Sequence, residues 1–128
     1  MPRVVHFEIH ASQPESVIEF YRTLFGWRFE QWSGQEYWLV RTGETSAPGI
    51  DGGLLRRRGP AAADGQAVNA FVCTIDVADL ESTLARATEI GGSLAVPRMA
   101  IPGVGWLGYV KDPAGNILGL MQNDPSAA

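Results

Sequence analysis

Alternating hydrophobic and polar residues open the chain and predict a β-strand at residues 3–10, RVVHFEIH. The next segment changes period, and its apolar residues share one face of a predicted helix that ends at Gly26: Val17, Ile18, Tyr21, Leu24 and Phe25. Turn-type residues then separate three short segments that are predicted strands: 27–32, 36–41 and 52–57. The first half of the chain therefore predicts a β-α-β-β-β module.

The second half of the chain repeats this order. Its predicted elements are a strand at 69–76, a helix at 79–90, and strands at 92–97, 105–110 and 115–121. A shift of 66 residues superposes Gly53 on Gly119, since 119 − 53 = 66. The predicted divisions are a first module at 1–57, a Gly/Pro-containing linker at 58–67, a second module at 68–122 and a tail at 123–128.

The order of elements predicts an α+β fold built from two modules. One helix can cover only one face of the strands in its module, so the other face has to close on something else. The sister module is the natural partner, which predicts open, curved mixed sheets around a cleft. Every second residue of each strand would line that cleft, and such a concave space suits a small molecule.

Composition narrows the possible partners. A net charge of −4 argues against nucleic acid, and the run Arg56-Arg57-Arg58 is predicted to be a solvated strand end rather than a phosphate site. No apolar run approaches the roughly 20 residues that cross a bilayer, and we expect no signal peptide and no membrane partner. The single cysteine, Cys73, excludes an internal disulfide, lies in a predicted buried strand, and makes the cytoplasm the expected compartment.

Two segments carry a resemblance to a known family. They are HFEIHASQPESVIEFYRTLFGW at 6–27 and KDPAGNILGLMQ at 111–122. In this order, and repeated, they resemble the vicinal oxygen chelate superfamily, which includes glyoxalase I, bleomycin resistance proteins and extradiol dioxygenases. The resemblance implies that metal ligands, where present, come from the first and last strands of each module. Those places hold His6, Gly53, Val72 and Gly119 in this chain.

These four positions predict a site without a metal and without another cofactor. One imidazole remains where three or four ligands are needed. Glu8 and His10 follow His6 on the same strand face, but each step of two residues moves about 6.6 Å along the strand, so one strand cannot build a compact site. The glycines at 53 and 119 are expected to leave space that a substrate could fill.

Alternation also selects candidate catalytic and binding residues. If His6 faces the cleft, Glu8 does too, and the pair becomes the candidate acid and base, with Glu8 strengthened as a base by loss of solvation. The same rule places Phe71 and Cys73 against the second helix. The candidate ligand-binding residues are Trp38, Leu55, Val72, Thr74, Trp106, Ile117 and Met121. The pattern leaves the facing of the two tryptophans open by one residue, and both are also candidates for the core.

Two classes of function follow. The first is metal-free binding or sequestration of a small organic molecule, as in drug-resistance members of the resembled family. The second is a cofactor-free lyase or isomerase that acts on a small carbonyl substrate, with Glu8 as base; a metal-dependent glyoxalase or dioxygenase is a further alternative. His6 and a paired Glu8 also have a purely structural interpretation. The resemblance implies a homodimer, and the alternative is a monomer whose modules close on each other through the 58–67 linker.

Overall fold

The computed structural model describes residues 3–128. The chain divides between Ala61 and Ala62 into two compact units, at a point inside the predicted linker. Each unit contains one helix and one four-stranded mixed sheet. The predicted α+β fold of two β-α-β-β-β modules is confirmed. Neither helix in the described part of the chain has the length and apolar character to span a membrane.

Unit 1 has the strand order β1-β4-β3-β2, in which β1 runs parallel to β4 and the other neighbours are antiparallel. Its elements are β1 (Phe7–Ala11), α1 (Pro14–Phe25), β2 (Arg28–Gln31), β3 (Tyr37–Arg41) and β4 (Gly52–Arg56). The helix ends where the sequence predicts, because Gly26 adopts a left-handed φ of 73° and its N–H donates to the Arg22 carbonyl at 2.9 Å.

Helix α1 covers one face of the first sheet. Val17 and Phe20 of the helix are buried, as are Val40 and Leu54 of the sheet. Aromatic contacts continue this core at the sheet end, where the rings of Tyr21 and Trp27 stack and the rings of Trp27 and Phe7 lie 6.0 Å apart. The face that carries Phe7 and Leu54 is therefore the helix side, and the alternate residues of each strand lie on a helix-free face.

Unit 2 repeats the same topology, with the strand order β5-β8-β7-β6. Its elements are β5 (Thr74–Asp76), α2 (Leu80–Glu89), β6 (Ser93–Ile101), β7 (Gly105–Lys111) and β8 (Ile117–Asn123). The Asp79 carboxylate caps α2 by accepting from the Ser82 N–H at 3.2 Å. A Cβ on Gly108 would lie 3.2 Å from the Leu84 side chain of α2, so the face with Gly108 and its partner Leu120 is the helix side.

The strand registers confirm the internal repeat. Glu8 pairs with Gly53 in unit 1, and Thr74 pairs with Gly119 in unit 2. Both members of the second pair are displaced by 66 residues from the first, since 74 − 8 = 66 and 119 − 53 = 66. The repeat therefore includes the pairing register of the parallel strands in each unit.

The first strand of unit 2 is shorter than its sequence predicts. Only Thr74–Asp76 pair with β8; the Cys73 carbonyl still accepts from the Gly119 N–H at 2.9 Å, but residues 70–72 lie outside the strand. Phe71 is 95% exposed, Val72 is 37% exposed and Cys73 is exposed, which corrects the expectation that Phe71 and Cys73 pack on the helix. The physical reason is that in this register residues 69–71 would lie opposite residues 114–116, which precede β8, so the one neighbouring strand offers them no pairing.

Candidate functional site

The helix-free face of unit 1 brings the first-strand candidates together. Directly opposed residues share a sheet face, so the pairs of Glu8 with Gly53 and of His10 with Leu55 lie on the side away from α1. His6 precedes Glu8 by two residues on the same face. The structure therefore places the two predicted catalytic residues as alternation expects.

Tyr37 connects His6 to Glu8. Its hydroxyl donates to Glu8 Oε2 at 3.1 Å and lies 3.1 Å from His6 Nε2. A phenol has a single proton, so with that proton directed at Glu8 the other bond has to run from a protonated Nε2 of His6 to the phenol oxygen. The three side chains form a hydrogen-bonded row, called here the His6–Tyr37–Glu8 row, in which Glu8 is the final acceptor.

Tyr37 also covers Gly53. A Cβ built on Gly53 would overlap the Tyr37 hydroxyl oxygen and the ring carbon that carries it. The expectation that Gly53 leaves room for a substrate is therefore corrected: the absent side chain makes room for a tyrosine from the neighbouring strand β3. The contact is diagonal, since Tyr37 pairs with Leu55 and Gly53 pairs with Leu39.

The Glu8 side chain is partly exposed. Its side chain is 43% exposed, and His10 Nε2 lies 3.7 Å from Glu8 Oε1 with its own side chain 48% exposed. This corrects the expectation that apolar neighbours dehydrate Glu8. Inside unit 1 its neighbours on this face are Gly53, a tyrosine hydroxyl and a histidine, which are compatible with a carboxylate in contact with water.

The pKa of Tyr37 is raised above its ordinary value. Partial burial of the phenol is the largest cause, because it disfavours the charged phenolate. The hydrogen bond to Glu8 and the negative charge of Glu8 act in the same direction. Tyr37 is therefore held as a neutral proton donor across the physiological pH range.

Unit 2 has a different arrangement at the equivalent positions. Thr74 stands where Glu8 stands, and a Cβ on Gly119 would lie 3.0 Å from Thr74 Oγ1 and 3.1 Å from a ring carbon of Tyr109. Tyr109 lies directly across from Gly119, so a tyrosine covers this glycine as well. Ile117 and Met121 lie on the same face and are half-buried. Unit 2 thus offers a hydroxyl and apolar groups where unit 1 offers a carboxylate.

Both candidate tryptophans lie on the helix sides of their sheets. Trp38 pairs with buried Leu54. Trp106 shares the α2 side with Gly108, and Tyr109 and Gly119 lie on the opposite side. The Trp106 Nε1 donates to Asp124 Oδ2 at 3.0 Å, and the Arg98 guanidinium lies 4.2 Å from the centre of the ring. The sequence left open which face each tryptophan occupies; in the structure neither ring lies on a helix-free face. Tyr37, the neighbour of Trp38, is the aromatic that sequence reasoning missed.

The residues at the four family positions do not fit a metal ion. His6 alone offers a ligand atom, Gly53 and Gly119 offer none, and Val72 is apolar. The Tyr37 hydroxyl lies in the space that a ligand side chain at position 53 would need. Within residues 3–128, no group of three or more His, Cys, Asp or Glu side chains is placed to hold an ion.

A shallow depression adjoins the His6–Tyr37–Glu8 row. It has a volume of about 320 Å³ and is lined by Gln35, Glu36, Tyr37, Leu55, Arg56, Arg57 and Arg58. Arg56 Nε donates to Glu36 Oε2 at 2.7 Å, a bond that lowers the pKa of the Glu36 carboxyl. Arg57 Nη2 donates to the His10 carbonyl at 2.9 Å. Sequence reasoning treated these arginines as a solvated strand end, because their proximity to Tyr37 needs the sheet register.

The chain matches a known protein family over most of its length. A family model described as the Glyoxalase/Bleomycin resistance protein/Dioxygenase superfamily matches residues 3–120. No curated protein matches the chain in sequence.

Solved structures of similar fold cover nearly the whole chain. The fosfomycin resistance protein FosX from Listeria monocytogenes is 14% identical, with a TM-score of 0.72 over 97% of this chain and 93% of that one. A glyoxalase-related enzyme from Fulvimarina pelagi is 20% identical, with a TM-score of 0.69 over 100% of this chain and 98% of that one. TioX from Micromonospora sp. ML1 is 16% identical, with a TM-score of 0.66 over 96% and 100%. At these identities the likeness concerns the fold.

Proposed function

The chain belongs to the glyoxalase/bleomycin resistance protein/dioxygenase superfamily, and from that premise we propose that it binds a small organic molecule without a metal ion. The binding surface is the helix-free face of unit 1. The donor set argues against the metal-dependent glyoxalase or dioxygenase alternative, because two of the four family positions are glycines and Tyr37 covers one of them.

The His6–Tyr37–Glu8 row is the observation that carries this proposal. Three polar side chains are held at fixed distances on a sheet face that no helix of the unit covers. A structural role for a hydrogen-bonded carboxylate does not require exposure, but Glu8 is 43% exposed and so remains accessible to a ligand. The row offers an acceptor at Glu8, and a hydroxyl and an imidazole beside it, which suits a ligand with several polar groups.

Binding or sequestration requires no chemistry beyond this arrangement. A fosfomycin resistance protein from Listeria monocytogenes has a similar fold. A ligand would replace water at Glu8 and His10 and pack against Leu55 on the same face. Since a hydrogen bond to a charged group contributes about 1.5–3 kcal/mol, loss of the Glu8 charge is expected to weaken binding about tenfold or more.

A ligand screen followed by substitution tests the proposal. Thermal-shift measurements against aromatic acids, glutathione adducts and glycopeptide drugs would identify a ligand, and calorimetry would give its affinity for Glu8→Gln, His6→Ala and His10→Ala. The first two substitutions should weaken binding, and His10→Ala at the end of β1 should matter less. Glu19→Gln, on the outer surface of α1, is the matched control. Unchanged affinity in both central variants, with the fold intact, would place the site elsewhere.

A second function, cofactor-free proton transfer, is favoured by the direction of the hydrogen bonds. Because the row ends at Glu8 as acceptor, that carboxylate is the group placed to remove a proton from a carbon next to a carbonyl. Once Glu8 has taken up that proton it no longer requires the Tyr37 hydrogen bond, so the phenol, whose pKa is raised, is free to turn its proton to the resulting oxyanion. Incubation of carbonyl compounds in D2O would show exchange at the acidic carbon, and Glu8→Gln should abolish it.

A further inference from the structure

We propose that the ligand of this site carries a negative charge, which Arg58 holds at the depression beside Tyr37. This inference rests on the proposed function, since it names the chemical class of the molecule bound there. The class is a small organic acid, with a carboxylate or similar anionic group and a second polar group a few ångströms away.

The depression and the row are parts of one surface. Tyr37 lines the depression, and its hydroxyl contacts both His6 and Glu8. Arg57 is tied back toward the row, because its Nη2 donates to the carbonyl of His10 at 2.9 Å. A molecule seated in the depression therefore lies against the ring that carries the central hydroxyl of the row.

The charge of the lining differs in sign from that of the protein. Three arginines and one glutamate line the depression, a formal charge of 3 − 1 = +2, whereas the whole chain carries −4. Arg56 forms a close ion pair with Glu36 and also donates to the Ser12 carbonyl. Arg57 is engaged with the His10 carbonyl, whereas Arg58 is exposed, so Arg58 is the arginine of the lining that is placed to meet an anion from solvent. A local positive surface on an acidic protein attracts anions and repels cations.

The geometry, apolar lining and volume of the depression restrict the size and shape of the ligand. Guanidinium groups bind carboxylate and phosphate oxygens in a two-pronged geometry, which fixes orientation as well as charge. Leu55 offers an apolar contact between the arginines and the row. A volume of about 320 Å³ is at the small end of ligand sites, which suits a compact acid. Because Arg58 and Tyr37 line the same depression, an acid with its anion at Arg58 is expected to direct its other end toward Tyr37.

Phenylacetate and phenylacetamide test the role of charge, because they share a shape and differ in charge. Their binding to the full ¹⁵N-labelled chain can be followed by amide chemical shifts. Phenylacetate should move the amides of residues 35–37 and 55–58 and bind at least about fivefold more tightly than phenylacetamide. Its affinity should fall about three- to tenfold in Arg58→Ala and with added salt. Arg22→Ala, which removes an arginine from the exposed surface of α1, should leave it unchanged.

Other outcomes overturn the inference in distinguishable ways. Equal affinity for the two compounds, anion shifts outside the depression, or no shift with phenylacetate at about 20 mM would each overturn it. An unaltered affinity in Arg58→Ala would do the same, and that exposed side chain is not expected to affect folding. If neutral compounds instead shift residues 6–10 and Tyr37, the proposed function stands without an anionic ligand. If no compound of the wider screen shifts those residues, the proposed function fails as well.

Discussion

The hydroxyl of Tyr37 occupies the space that a side chain on Gly53 would need. The two residues lie on adjacent strands, and the same hydroxyl holds Glu8 and contacts His6. Any side chain at position 53 would displace the phenol and break the row. The glycine therefore has a structural and a functional consequence at once: it admits the ring that organises the polar groups of unit 1.

Substitution of Gly53 by alanine should be destabilising because of Tyr37. The added methyl group overlaps the phenol, and forced repacking of this kind typically costs about 1–3 kcal/mol. In a Tyr37→Ala background the obstacle is gone, and Gly53→Ala should become neutral or stabilising, because glycine inside a strand costs about 0.5–1 kcal/mol relative to alanine. Chemical denaturation of the four proteins of this double-mutant cycle measures the coupling.

Gly119→Ala is the matched control for this cycle. Its added Cβ would meet Thr74 and Tyr109 at 3.0 and 3.1 Å, contacts that small shifts can relieve, so the cost should be smaller than at position 53. Equal costs of Gly53→Ala with and without Tyr37 would contradict the assignment of the phenol as the obstacle.

Metal content provides a second prediction. The purified protein should carry less than about one-tenth equivalent of zinc, nickel or iron, because one imidazole is too weak a site to retain a divalent cation. A carboxylate introduced at position 53 should raise the metal affinity only if the Tyr37 ring is also removed to make room for it. The double variant Gly53→Glu/Tyr37→Ala is expected to bind zinc more tightly than the wild type, since a carboxylate at position 53 would share the face that carries His6.

The two single variants distinguish the effect of removing the Tyr37 ring from the effect of adding a metal-binding carboxylate. Tyr37→Ala alone opens the space without adding a ligand, and Gly53→Glu alone adds a carboxylate against an obstructing ring. Neither should reach the zinc affinity of the double variant in a competition titration with a chromogenic chelator. Near-stoichiometric metal in the wild-type protein, found by elemental analysis, would overturn the metal-free assignment.

Periodicity and repetition were sufficient to predict the fold. Both signals are local, or depend on a constant displacement along the chain, and the registers of Glu8 with Gly53 and of Thr74 with Gly119 show the same displacement. Prediction failed before β5, where the apolar residues 70–72 lie outside the strand and Phe71 is exposed. A short apolar run indicates that a segment can form a strand, but pairing also requires a partner strand at that position.

The candidate site was predictable only in part, for a related reason. Alternation along one strand places His6 and Glu8 on one face, whereas the role of Tyr37 depends on the register of β3 against β4. A shift of one residue exchanges Tyr37 and Trp38 between the two faces. The sequence left that shift open, so the tryptophan was considered and the tyrosine was missed.

Assembly gives a third prediction. Val68, Phe71 and Val72 are exposed apolar residues of unit 2, and Phe71 is 95% exposed. Exposed apolar groups grouped in this way are typical of interaction surfaces, so we expect a homodimer with twice the mass of one chain by light scattering at micromolar concentration. Phe71→Asp should shift the protein toward monomer, while Leu94→Asp, an exposed substitution elsewhere in the unit, should have a smaller effect. A monomeric wild-type protein would refute the prediction.

The ionisation of Tyr37 gives a fourth prediction. Its pKa lies above the ordinary value of 10.0, because of burial first and the hydrogen bond and charge of Glu8 second. The difference in phenolate absorbance between the wild type and Tyr37→Phe reports this group alone, and it should titrate above pH 10. Glu8→Gln removes the negative charge and should lower the midpoint toward the ordinary value, with burial still holding it above. Glu19→Gln should leave it unchanged.

The same shift fixes how Tyr37 links stability to pH. A raised folded-state pKa means that the native protein holds the phenol proton more tightly than the unfolded chain does. The corresponding stabilisation is fully present below the ordinary value of 10.0 and is lost as the pH rises through the higher folded-state value. Above pH 10, the wild type should therefore lose unfolding free energy more steeply than Tyr37→Phe, and Glu8→Gln should reduce this difference. Parallel stability curves for the wild type and Tyr37→Phe across that range would show that the phenol proton is not part of the folded row.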